Sequence, residues 1–93
     1  MKHVVIAGYT RTPFTLAKKG ALAKVRPDDL SAIAVKGLIT QTGIDANEIE
    51  DLVLGCAFPE GEQGLNLARL VVLLAGLPQS IGGVTLNRFC GSS

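Results

Sequence analysis

The chain has no tryptophan, one tyrosine and three phenylalanines. With aromatics at 4% and hydrophobic residues at 47%, aliphatic side chains must fill the interior, as in α/β layers whose helices cover both faces of a parallel sheet. The means for a zinc site are lacking as well. Cys56 and Cys90 with a single distant histidine, His3, cannot supply four ligands, and no metal ligand is assigned. The longest uninterrupted apolar run, Leu70 to Leu77 counting Gly76, falls far short of the roughly 20 residues that span a bilayer. The apolar start, His3 to Gly8, has neither the core nor the cleavage site of a signal peptide. A cytoplasmic location is therefore expected, with both cysteines as free thiols. There is no strongly basic face of the kind nucleic acids require, because the net charge is only +1. Gly8 stands alone, so neither the G-x-G-x-x-G fingerprint nor a P-loop is present.

What remains is a chain of 93 residues, enough for one modest domain that buries only about 60–65% of its unfolded surface. Charge is unevenly placed along it. Residues 1–26 hold Lys2, Arg11, Lys18, Lys19, Lys24 and Arg26 without an acid, while residues 28–62 hold all eight acids and only Lys36. Such runs ordinarily form solvated faces, or else draw in an anion.

The hydrophobic pattern alternates between two kinds of element. His3 to Gly8 reads as a central strand buried on both faces, ended by the turn through Pro13. Thr15 to Val25 is basic, broken by Gly20, and reads as loop with irregular helix. Pro27 suits a first helical turn, and Asp28 and Asp29 suit its positive end. Leu30, Ile33, Ala34, Gly37 and Leu38 then recur on one side of a helix over about 27–42, closed by a left-handed Gly43. After a polar turn, Asp51 to Phe58 is a second strand apolar on both faces, and Cys56 within it reads as a core residue. Pro59 to Asn66 is a loop in which Glu60 and Glu62 are solvated. Asn66 can cap the helix Leu67 to Ala75, which is apolar almost all round apart from Arg69. Gly76 and Pro78 stop it, and Gly82 to Phe89 makes a third strand. This order, strand and helix alternating, predicts an α/β fold with a parallel sheet, in which ligands bind beyond the carboxyl ends of the strands.

Cys90 falls at that end. A free cysteine is commonly a small buried hydrophobe. Followed by Gly91, Ser92 and Ser93, it can also sit where a helix begins, the less common setting, where unpaired N–H groups and the helix dipole favour a thiolate and hence a nucleophile.

The stretch Asn87-Arg88-Phe89-Cys90-Gly91-Ser92-Ser93 resembles the nucleophile motif of the thiolase family, Asn-Arg-x-Cys-(Gly/Ser)-Ser-(Gly/Ser). Glu62-Gln63-Gly64-Leu65-Asn66-Leu67-Ala68-Arg69 is similar to the Glu-Gln-Gly-x-Asn-x-Ala-Arg of degradative 3-ketoacyl-CoA thiolases, and Arg11-Thr12-Pro13-Phe14 to the turn after their first strand. Leu65 stands where the biosynthetic branch tends to carry glutamine. The resemblance implies a thiolase-like layered α/β/α/β/α fold, of which residues 1–93 form the opening β-α-β-α-β part of the amino-terminal half, ending just after the nucleophile motif.

It further implies acyl transfer: thiolytic cleavage of a 3-ketoacyl-CoA by CoA, with Cys90 as nucleophile and site of the acyl thioester, and its backbone N–H as an oxyanion donor. Coenzyme A and acyl-CoA would be substrates, with no covalently bound cofactor and no CoA-binding residue assigned. The activating histidine and the second cysteine of the family come from the carboxy-terminal half, so neither His3 nor Cys56 fills those roles. Implied partners are the remainder of the thiolase chain, a second or further copies in a dimer or tetramer, with the Leu67 helix near the contact, and a β-oxidation multienzyme partner. A biosynthetic thiolase, another condensing enzyme of the ketoacyl synthase type, whose motif typically reads Thr-Ala-Cys-Ser-Ser, and a non-catalytic thiolase-like scaffold are the alternatives.

Overall fold

Pro27 opens the longest element of the chain, because its fixed φ suits a first helical turn and its missing N–H would have been unpaired there in any case. A computed structural model describes residues 2–93, and in it helix α1 runs Pro27–Thr42. Gly43 ends it in the left-handed region (φ 68°), its N–H donating to the Ile39 carbonyl at 3.0 Å, as expected from its position. The inward side of α1 differs from the expected stripe. Asp28 and Ala32 are buried, Val35 packs on the core, and Ile33 is 60% exposed.

A short 3₁₀ turn, Ala46–Glu48, leads into strand β1, Asp51–Gly55. A second 3₁₀ turn, Gly61–Gln63, precedes helix α2, Leu67–Leu74, and strand β2 follows at Gly82–Leu86. The strands pair in parallel, from Asp51 opposite Gly82 to Gly55 opposite Leu86. This is the α/β arrangement with a parallel sheet anticipated from the alternating pattern. Leu67, Ala68, Val71 and Val72 are buried on α2. Leu67, Val71 and Ala75 form a core with Ala32 and Cys56, against which Leu52 and Leu54 pack. Gly83 makes the close fit of α2 on β2 possible, since a Cβ there would lie 2.6 Å from the Arg69 nitrogen.

Three expected features differ. His3 to Gly8 forms no strand, and Val4, Val5 and Ile6 are 100%, 76% and 93% exposed. An apolar run becomes a strand only when a ladder and a packing surface receive it. Here β1 and β2 pair with each other, and the segment instead runs past α1, where the Thr10 hydroxyl donates to the Ala34 carbonyl at 3.0 Å. The strands are also covered on one face only. Side chains alternate across a strand, so Leu52 and Leu54 face the helices while Val53 stays 60% exposed and its partner Val84 lies outward with Leu86. Finally, no helix opens at Cys90. Phe89 takes φ 51° and the Ser92 N–H and hydroxyl both return to the Phe89 carbonyl, so residues 88–92 close as a turn.

Candidate active site

The turn that carries Cys90 is built almost entirely from its own short side chains. Beyond Leu86, whose carbonyl accepts from the Cys56 N–H at 2.9 Å, Asn87 Oδ1 accepts from the Phe89 N–H at 2.9 Å. Ser92 Oγ accepts from the Arg88 N–H at 2.8 Å and donates to the Phe89 carbonyl at 2.7 Å. Backbone bonds from Gly91 to Arg88 and from Ser92 to Phe89, at 3.0 and 3.1 Å, complete it. Phe89 is forced to φ 51°, a conformation that bulky L residues rarely adopt. The result holds Cys90 exposed at the tip, beyond the carboxyl end of β2. The turn also leans on β1, because the Ser92 carbonyl sits where a side chain on Gly55 would project. Cys90 thus lies outside the carboxyl ends of two parallel strands, where open α/β sheets place their ligands.

Behind the turn, a polar network joins β2 to α2. The Thr85 hydroxyl donates to Asn66 Oδ1 at 2.8 Å and accepts from the Ala68 N–H at 3.0 Å, while Asn66 Nδ2 donates to the Gly83 carbonyl at 3.0 Å. Asn66 stands at the cap position of α2 with φ 56° but makes no side-chain cap bond. A strand residue, Thr85, caps the helix in its place. Arg69 Nη1 donates to the Gln79 and Ile81 carbonyls, holding the connection from α2 to β2. A small hollow of about 360 Å³, walled in part by Asn66, Thr85 and Asn87, adjoins this network.

Compared with known sequences, residues 4–93 match the family model described as thiolase, N-terminal domain. The chain belongs to the thiolase family. It is 53% identical over 99% of its length to a 3-ketoacyl-CoA thiolase of Bacillus subtilis (strain 168), 50% identical over its full length to one from Aliivibrio fischeri, and 49% to one from Aeromonas hydrophila. It spans 24% of the length of each of these relatives.

Within this thiolase chain the two cysteines have opposite settings: Cys56 is 7% exposed in the core and Cys90 is at the surface. His3 is exposed on the amino-terminal segment. Glu60 and Glu62 are exposed, as expected of a solvated loop, and Glu62 lies 3.8 Å from Arg26. Arg26 also grips the buried Asp28 with two bonds, at 3.1 and 3.0 Å. That hydrogen bonding holds the Asp28 carboxyl below its ordinary value of 3.8 and raises the Arg26 guanidinium. Among the described residues no three His, Cys, Asp or Glu side chains are grouped to hold a metal, and no helix is long and apolar enough to cross a membrane. A larger apolar groove of about 860 Å³, bordered by Ile6, Leu38 and Ile44, has no cysteine, serine or histidine in its lining.

The sequence reading missed Gly55 and Thr85. Each carried a signal: a glycine inside a strand marks close backbone approach, and a hydroxyl at an inward strand position needs a partner.

Proposed function

We propose that this chain is the nucleophile-bearing, amino-terminal part of a 3-ketoacyl-CoA thiolase. Cys90 is its nucleophile, and the observation that supports this most directly is the placement of that thiol. It is exposed, on a turn braced by both strands at their carboxyl ends, whereas Cys56 is packed away. The names of the similar proteins support the substrate class.

In the proposed reaction the Cys90 thiolate adds to the 3-keto carbon of a 3-ketoacyl-CoA. The carbonyl electrons move to oxygen, where the Cys90 N–H is one donor to the oxyanion. Collapse breaks the bond between carbons 2 and 3, and the electron pair leaves on acetyl-CoA as a carbanion that takes up a proton. The shortened acyl group remains on Cys90 as a thioester. A CoA thiolate then adds to that thioester and expels Cys90, giving the shortened acyl-CoA and regenerating the thiolate. Cysteine suits both halves, since its thiolate attacks near neutral pH and its thioester is open to thiol exchange. The histidine that activates the thiol and the cysteine that protonates the carbanion belong to the rest of the subunit, as does most of the CoA site. The proposed setting is fatty-acid β-oxidation in the cytoplasm, in an oligomer of such subunits.

The test is made on the complete subunit containing this sequence. Incubation with acetoacetyl-CoA should leave an acetyl group on Cys90, seen by mass spectrometry of the peptide, and Cys90→Ser should abolish both that adduct and CoA-dependent turnover. Turnover that survives Cys90→Ser, or an adduct on Cys56 instead, defeats the proposal. Rapid iodoacetamide labelling at Cys90 that acyl-CoA blocks separates an enzyme from a thiolase-like scaffold, which would label both cysteines slowly.

A further inference from the structure

We infer that Ser92 is a positioning residue for the Cys90 nucleophile, an inference that rests on the function proposed above. Ser92 lies two places beyond Cys90 and reaches back across it. Its Oγ accepts from the Arg88 N–H at 2.8 Å and donates to the Phe89 carbonyl at 2.7 Å, and its own N–H donates to that same carbonyl at 3.1 Å. A hydroxyl is the side-chain group that donates and accepts through one atom at this reach, so it closes the turn from both sides around Cys90 and Gly91. The turn has something to hold. Phe89 at φ 51° occupies backbone space that persists only when its surroundings over-determine it.

The second support comes from β1. The Ser92 carbonyl lies against Gly55 at the carboxyl end of that strand, in the space a Cβ would fill. Ser92 therefore braces the turn on β1, while Asn87 ties it to the end of β2 through the Phe89 N–H. Without the hydroxyl, Arg88 N–H and Phe89 O lose their shared partner and the sulfur is free to drift from its line of attack. Because reacting atoms must meet within a narrow geometry, a displacement of about 1 Å is worth up to about a hundredfold in rate.

The experiment compares Ser92→Ala and Ser92→Thr with the parent in the complete subunit. The rate of the acylation burst with acetoacetyl-CoA and the KM for CoA are measured, together with the melting temperature. Ser92→Ala should slow the burst by about tenfold to a hundredfold with KM for CoA and the melting temperature close to the parent's. Ser92→Thr, which keeps the hydroxyl, should restore most of the rate. A parent-like burst in Ser92→Ala overturns the inference. So does an equal loss in both variants accompanied by a lower melting temperature, the mark of a merely structural residue. Cys90→Ser run alongside separates the two ideas: a burst that persists there removes the proposed function itself, whereas its loss combined with a normal Ser92→Ala burst removes only the role of Ser92.

Discussion

Replacing Thr85 with valine tests the junction that fixes α2 against β2. Valine has nearly the shape of threonine and keeps its branched Cβ, so the strand and its packing stay intact while the hydroxyl is lost. Two bonds go with it, from the Ala68 N–H at 3.0 Å and to Asn66 Oδ1 at 2.8 Å. Their costs differ. Asn66 is exposed and water takes over its oxygen. Ala68 is 0% exposed, and its amide is one of the first-turn donors that no helical carbonyl can satisfy. A lost cap costs about 0.5–2 kcal/mol and a buried donor left unpaired about 1–3 kcal/mol. These describe the same loss, so they are not added, and Thr85→Val should destabilise by about 2 kcal/mol. Urea unfolding of the subunit followed by circular dichroism reads this directly: m is about 2 kcal/mol per molar for a small protein and rises with chain length, so the midpoint falls by at most about 1 M. Thr85→Ser, which retains the hydroxyl, should cost less than half as much, and a double-mutant cycle with Asn66→Ala should show coupling of at least about 0.5 kcal/mol. A Thr85→Val midpoint equal to the parent's would refute the reasoning, because the Ala68 amide would then have found another partner.

Asp28 is held below its ordinary 3.8 by the Arg26 hydrogen bonds, so its contribution to stability is complete above that pH and fades as pH falls through the lower folded value. Asp28→Asn should therefore flatten the acid limb of a melting-temperature profile taken down to about pH 3, and an unchanged limb would count against the pairing. Leu65 is 92% exposed with φ 58°. Leu65→Gly relieves a left-handed penalty of about 1–2 kcal/mol against about 0.4–1 kcal/mol of added unfolded-chain entropy, a net gain of about 0.5–1 kcal/mol measurable by the same urea titration.

How much of this was legible in the chain differs from element to element. Helix α1 and its end were, because Pro27, Asp28, Asp29 and Gly43 act within a turn of where they stand. Helix α2 was, with Asn66 before it and Gly76 after it, and so was the alternation that yields a parallel pair. Cys90 could be singled out from its neighbours and from the resemblance they carry. The inward face of α1 was misjudged, because Ile33 and Gly37 share a helical stripe with Leu38 but the packing partners α2 and Cys56 lie on the side of Ala32. Asn66 was a cap candidate by type, yet its side chain turned to Gly83 and left the helix amide to Thr85.

By itself, then, the sequence determined where helices start and stop, which cysteine stands beside small residues at the end of a strand, and which family the chain resembles. These are matters of backbone preference and short-range pattern, settled within a few residues. Only the tertiary structure decided that His3 to Gly8 stays unpaired, that one face of the sheet is left open, and that Ser92 rests on Gly55. Each of those depends on a partner some tens of residues away or on surface that another element does or does not cover, and no local preference can specify a contact between distant parts of a chain.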